Sequence, residues 1–217
     1  MIELKFTEQR KELHKLHIEL GSSDLVEGTS GNISMRIIDN DLCLIKPSGV
    51  KYEDLTPENM ALIDFDGNVI EGSMLPSTDT ETHLHIYKNR EDVNGVVHTH
   101  SVYATAFAAV GLGIPACLTE IADEFGHDIP CSKYAPIGGV DMAKAALETM
   151  GKGQAVLLKS HGVITTGVTS AKALKASLML EHSAKIVFIA KQIGEPSRLD
   201  QKELERAHER YATQYGQ

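Results

Sequence analysis

An α/β fold follows from three features of this 217-residue chain. Strand-like and helix-like segments alternate from one end to the other, which places helices over a central sheet. Asp66-Gly67 stands between two short apolar runs, the signature of a hairpin, so at least part of that sheet is antiparallel. The third is Gly95-Val-Val-His-Thr-His100, a β-branched run with the look of a buried strand. No internal repeat, low-complexity tract or linker interrupts the pattern. One domain over residues 1–217 is expected, long enough for a sizeable core.

The elements follow in order. Leu13, Leu16, Ile18 and Leu20 recur among charges at helical spacing from about Glu8, and Gly21 ends that helix. The turn-rich stretch Glu27–Ser34 runs into a strand, and Leu42–Ile45 reads as the next, stopped by Lys46-Pro-Ser-Gly49. Ala61–Phe65 and Val69-Ile70 are the two arms of the Asp-Gly hairpin. Thr78 or Asp79 opens a helix over Thr80–Tyr87. After the histidine-bearing strand, Ser101 is placed to cap an alanine-rich helix ending at Gly111. The segment Ile121–Pro136 reads as irregular. Asp141 caps a helix over Met142–Met150, Ala155–Lys159 and Val163–Thr166 are strands, and Ser170 caps a long helix ended by Gly194 and Pro196. A charged helix begins near Leu199.

Composition narrows the function. Hydrophobic residues are 42% and charged residues 24%, ordinary for a globular protein. Lys plus Arg number 21 against 30 Asp plus Glu, a net charge of −9 that argues against nucleic-acid or anionic-membrane partners. A small anionic substrate remains compatible, because a local pocket can be basic on an acidic protein. Three cysteines (Cys43, Cys117, Cys131) without C-x-x-C spacing suggest neither a disulfide framework nor a zinc knuckle. With no secretory pattern at the N-terminus and no run of about 18 apolar residues, a soluble cytoplasmic protein is expected.

Ten histidines require sorting. His14, His17, His182 and His208 fall on helices and read as solvated. His83 and His85 form a His-x-His pair, but on a helix such residues diverge and cannot chelate. His127 stays ambiguous. His98 and His100 differ, because residues two apart on a strand share a face and imidazole is the commonest metal ligand. His161 leaves another apolar strand before a glycine, so the three can gather at strand ends, with Asp79 as a candidate carboxylate. Spacing alone points to a divalent-metal site of undetermined chemistry.

Three glycine- and hydroxyl-rich turns offer the other half of a site: Thr29-Ser-Gly-Asn32, Pro47-Ser-Gly49 and Pro76-Ser-Thr78. Backbone N–H groups and hydroxyls in such turns hold phosphate, and Lys46 adds positive charge. No Walker-type Gly-x-x-x-x-Gly-Lys is present, which argues against a nucleoside triphosphate.

Taken together, Gly28-Thr-Ser-Gly-Asn32, Lys46-Pro-Ser-Gly-Val50, Pro76-Ser-Thr-Asp79, Val97-His-Thr-His100 and Ser160-His161-Gly162 resemble the class II aldolase and L-ribulose-5-phosphate 4-epimerase family in order and spacing. The resemblance implies a three-layer α/β/α fold around a largely antiparallel sheet. It implies that His98, His100 and His161 bind Zn2+ or a similar divalent ion such as Mn2+ or Co2+. It also implies that Asn32, Ser48, Gly49, Ser77 and Thr78 hold the phosphate of a sugar, with Lys46 nearby. Family members form homotetramers with active sites between subunits.

Within the family, aldolases carry a glutamate base where the phosphate motif ends, whereas epimerases carry an aspartate as a metal ligand, as Asp79 stands here. Ala122-Asp-Glu-Phe125 and Ile129-Pro-Cys131 resemble the epimerase pattern, which places Asp123 at an acid/base position and Thr119 beside it at the substrate. Tyr215-Gly-Gln217 resembles the epimerase terminus, whose tyrosine is the second acid/base group, given across the subunit interface. Ser30, Thr78, Glu120 and Ser132-Lys-Tyr-Ala-Pro136 depart from that pattern, and the last looks more like the aldolase side. The first expectation is therefore a pentulose-5-phosphate 4-epimerase working by retro-aldol chemistry. The alternative is an aldolase that cleaves a ketose 1-phosphate such as L-fuculose 1-phosphate, with Asp79 replacing the family glutamate. A dehydratase or decarboxylase, or a non-catalytic scaffold, stands behind these.

Overall fold

The computed structural model describes residues 4–214. Among them, seven strands form one sheet in the order β4-β3-β2-β1-β5-β7-β6. The strands are β1 (Asn32–Ile37), β2 (Leu42–Ile45), β3 (Ala61–Asp64), β4 (Val69–Glu71), β5 (Gly95–Thr99), β6 (Ala155–Leu158) and β7 (Gly162–Gly167). Every neighbouring pair is antiparallel. Asp64 tightens the Asp-Gly hairpin by accepting from the N–H groups of Asp66 (3.0 Å) and Asn68 (2.8 Å).

Two helical layers cover the sheet. On one face, α2 (Thr80–Asn89) and α5 (Val140–Met150) bury Leu84, Ile86, Met142 and Ala146 against Cys43, Ile45, Val96, Val156 and Ile164. On the other lie α1 (Thr7–Gly21), α3 (Val102–Ala109), α4 (Thr119–Phe125), α6 (Ser170–Ile193) and α7 (Gln201–Gln214). They cover Ile33, Leu44, Leu62 and Val97, and further along Ala155, Leu157 and Val163. Neighbours along each strand therefore go to opposite layers, and a central strand buried on both sides has no polar face. β5 is buried at all five positions for this reason. α6 reaches so close to β5 that a Cβ on Gly95 would lie 2.3 Å from the Ser170 Cα.

Several local expectations are corrected. The stretch expected to be irregular contains α4, whose Ile121, Ala122 and Phe125 point into the core and whose end is a left-handed Gly126 (φ 70°). Seven residues of mixed charge are too short for periodicity alone to announce a helix. The caps lie elsewhere too. The Ser101 side chain makes no capping bond; instead Glu181 of α6 accepts from the N–H groups of Tyr103 (2.8 Å) and Ala104 (2.9 Å). α5 starts after Gly139 rather than at an Asp141 cap, and Thr169, not Ser170, caps α6. No helix among the described residues is long and apolar enough to cross a membrane.

Candidate metal centre and anion cradle

β5 carries His98, His100 follows directly after its end on the same side, and the β6–β7 hairpin delivers His161 to the same point. The Nε2 atoms of His98 and His100 are 3.0 Å apart, and those of His100 and His161 are 3.2 Å apart. One ligand atom from each ring lies within 4.8 Å of the others. Ser160 at the hairpin tip adopts a left-handed conformation (φ 62°) that swings His161 inward. Gly162 is needed beside it: a Cβ there would fall 2.5 Å from the Thr99 carbonyl, 2.9 Å from the His100 ring and 3.2 Å from the His98 ring.

The donor set fits a divalent cation. His98 Nδ1–H donates to the Val163 carbonyl at 2.8 Å, so its Nε2 is a bare lone pair. His161 Nδ1 is 3.2 Å from the Met142 sulfur, an acceptor, which leaves its Nε2 bare as well. Burial, and then the neighbouring rings, hold His100 and His161 below their usual pKa, His161 at about 4. The bare nitrogens of His98 and His161 lie 3.0 Å and 3.2 Å from His100 Nε2, and three ring nitrogens gathered so closely, with room for a fourth ligand, suit a catalytic divalent-metal site.

The anion cradle adjoins this centre. Asn32, Lys46, Ser48, Gly49, Ser77, Thr78 and Asp79 line the same cleft of about 660 Å³ as the three histidines. Two hydrogen bonds hold its Pro-Ser turns side by side, Ser48 N–H to Leu75 O (2.8 Å) and Ser77 N–H to Lys46 O (3.0 Å). Those two amides are thereby engaged in the scaffold. Lys46 is buried, its Nζ donates to the Thr29 carbonyl at 3.0 Å, and it lies 5.1 Å above the Tyr52 ring. Burial lowers its pKa, so an arriving anion restores the environment that the ammonium lacks. Ile137 and Gly138, which the sequence did not single out, form the far lip.

Asp79 stands at the N-terminus of α2, its Oδ2 accepting from Asn32 Nδ2 at 2.7 Å. Burial works to raise this carboxyl, but the charges of His98 and His83 and the Asn32 bond outweigh it and hold it low. Thr119 begins α4 and lies outside the cleft lining, as does Asp123, whose Oδ1 accepts from Arg210 at 3.2 Å. Tyr215 lies outside the described residues. Of the histidines expected in solvent, His182 is exposed and His17 is not. His17 is wholly buried, donates Nδ1–H to Leu13 O (2.9 Å) and accepts from Ile33 N–H (3.1 Å) beside Asn32. His182 faces Glu120 at 3.6 Å. His83 is buried as well, on the helix face it shares with Ile86 and Tyr87 three and four residues on.

Comparison with known proteins agrees with this arrangement. Residues 11–188 match the family model described as the class II aldolase and adducin N-terminal domain. This chain belongs to the class II aldolase family. Over 209 residues it is 37% identical to a 5-deoxy-D-ribulose 1-phosphate aldolase of Bacillus thuringiensis serovar kurstaki, covering 96% of this chain and 97% of that one. An L-fuculose 1-phosphate aldolase structure superposes with a TM-score of 0.89 at 33% identity, over 94% of this chain and 95% of the other. The fold is shared also with an L-fuculose-1-phosphate aldolase of Thermus thermophilus, at a TM-score of 0.74 and 23% identity over 87% of this chain and 97% of the other. The class II aldolase fold thus accounts for the three layers, the antiparallel sheet and the course of the chain through them.

Proposed function

We propose that this chain is a divalent-metal-dependent aldolase, a lyase that cleaves a ketose 1-phosphate to dihydroxyacetone phosphate and an aldehyde. The observation that carries the reading is the convergence of three imidazole rings beside an anion cradle in one cleft. Relatives named as aldolases of ketose 1-phosphates favour this alternative over the 4-epimerase expected first. The three free cysteines fit a reducing cytoplasm.

In this reading Asn32, Ser48, Gly49, Ser77 and Thr78 bind the phosphate, with Lys46 beneath, and thereby hold the ketone and its neighbouring hydroxyl against the histidines. A divalent ion held by His98, His100 and His161, zinc in the first instance, supplies Lewis-acid polarisation of that ketone. Loss of the proton from the C4 hydroxyl breaks the C3–C4 bond, releases the aldehyde and leaves its electron pair on the enediolate of dihydroxyacetone phosphate. Asp79, in the place of the family glutamate and ionised in the free site, takes a proton from solvent and delivers it to C3, while the C4 hydroxyl proton leaves through Asp123 or Tyr215. Asp123 and Tyr215 serve the C4 hydroxyl from a neighbouring subunit of a homotetramer, with Thr119 near the aldehyde end. The exposed apolar residues Val102 on α3, Val110 just after it, and Ile189 and Ile193 on α6 give such an assembly surface to cover.

Incubation of the protein with L-fuculose 1-phosphate, 5-deoxy-D-ribulose 1-phosphate and L-ribulose 5-phosphate tests the reading. Aldehyde release from a 1-phosphate is expected. Formation of the C4 epimer from the 5-phosphate, with no aldehyde from either 1-phosphate, would overturn it in favour of the epimerase.

A further inference from the structure

His83 has no part in the chemistry above and does not line the cleft, yet it is buried one helical turn after Asp79. Its side chain is wholly buried, and its backbone N–H donates to the Asp79 carbonyl at 3.1 Å. Its Nδ1 lies 2.7 Å from Ser34 Oγ, which in turn lies 2.7 Å from Tyr87 Oη. Ser34 follows Asn32 by two residues on β1, so the two side chains leave the strand on one face. Asn32 Nδ2 donates both to Asp79 Oδ2 at 2.7 Å and to Ser77 Oγ at 3.0 Å. The imidazole is therefore flanked by the two elements that carry Asn32 and Asp79.

Two buried atoms here have no hydrogen-bond partner among the described residues, His83 Nε2 and Asn32 Oδ1. Native interiors seldom leave such atoms alone. No hydrogen bond joins the two to each other, but an Nε2–H and an amide oxygen carry opposite polarity once the ring proton is assigned. If Tyr87 donates to Ser34 and Ser34 donates to Nδ1, both 2.7 Å contacts are satisfied and the proton resides on Nε2. The opposite tautomer would set a bare Nε2 lone pair in the field of the Asp79 carboxylate, which acts on this ring.

We propose that His83 is a positioning residue: its Nε2–H, imposed by the Tyr87–Ser34 hydroxyl pair, turns the positive end of the N–H dipole toward the Asn32–Asp79 pair and so steadies those two side chains beside the three histidines. It touches no substrate and acts through those two side chains. The inference rests on the proposed function only in that Asn32 and Asp79 serve the site; the hydrogen-bond chain itself is independent of which sugar is cleaved.

The test combines nuclear magnetic resonance of the full-length protein with kinetics. Nitrogen-15 spectra of the metal-free wild type are expected to show His83 protonated on Nε2 and bare at Nδ1. His83→Leu is expected to shift the Asn32 side-chain amide signals and to lower kcat about 10- to 100-fold with KM nearly unchanged. His83→Gln, whose amide can donate from the Nε2 position, restores most of both, whereas His83→Asn does not. Ser34→Ala keeps the ring but releases its tautomer, so it reports on the chain even if the leucine variant fails to fold. A wild-type ring protonated on Nδ1, or Asn32 signals and kcat unchanged in both His83→Leu and Ser34→Ala, would overturn the proposal. If the wild type cleaves no ketose 1-phosphate while the tautomer and the Asn32 shifts appear as expected, the proposed function fails and the positioning role stands.

Discussion

His17 shows how much a single buried side chain contributes beneath this site. It ties α1 to β1 through Ile33, next to Asn32, and burial drives its pKa from 6.5 to about 3. Between those values the unfolded chain binds a proton that the folded chain refuses. Stability is therefore full above about pH 6.5 and falls as pH drops toward 3, by about 1.4 kcal/mol per pH unit for this one group. Urea titrations at pH 7 and pH 5 should show His17→Gln losing less stability on acidification than the wild type; equal losses would contradict the assignment. Lys46 makes a second residue-scale case. Lys46→Met removes a buried charge beneath the cradle, and we expect KM for a phosphorylated ketose to rise about tenfold, with the bound divalent ion retained. Initial-rate kinetics with metal analysis checks both halves. His98, His100 and His161 were legible from the sequence because a strand's period of two and a strand-end histidine are local signals. His17 was not legible: its place on a helix surface looked polar, and only the packing of α1 on β1 decides that the ring is enclosed.

At the scale of elements, the β6–β7 hairpin sets the third ligand. Its tip needs the left-handed Ser160 and the bare Cα of Gly162 together, because a methyl group at Gly162 would press on the Thr99 carbonyl and on two of the three rings. Gly162→Ala should weaken divalent-ion binding at least about tenfold while far-ultraviolet circular dichroism stays native. Competition with a chromophoric chelator measures the first, and unchanged affinity would show that the hairpin is not the positioning element. The strands and long helices were readable from apolar periodicity and from the Asp-Gly, Gly194 and Pro196 punctuation. The caps were not. Glu181 reaches α3 from another helix, and no local pattern around Ser101 discloses a partner that distant in sequence. α4 escaped for a related reason, since its seven residues are stabilised by contacts with α6 and α7 rather than by their own propensity.

For the whole molecule, the interleaving of strands and helices was sufficient to foresee a covered sheet, and the ordered turn and histidine motifs to foresee where the site lies. Among the described residues, two groups expected at the reaction, Thr119 and Asp123, do not line the cleft. Asp123 is turned to Arg210 on α7 and away from the histidines, while apolar side chains on α3 and α6 stay exposed. A homotetramer would resolve both, and light scattering should return the mass of four chains; a monomer with full turnover would refute it. Whatever the assembly, the central proposal is that three imidazoles gathered in one place hold one cation. Titration of the metal-stripped protein with Zn2+ tests it directly: one ion per chain is expected for the wild type, and its loss in His100→Ala. Binding that is absent in the wild type, or that survives His100→Ala undiminished, would contradict the account.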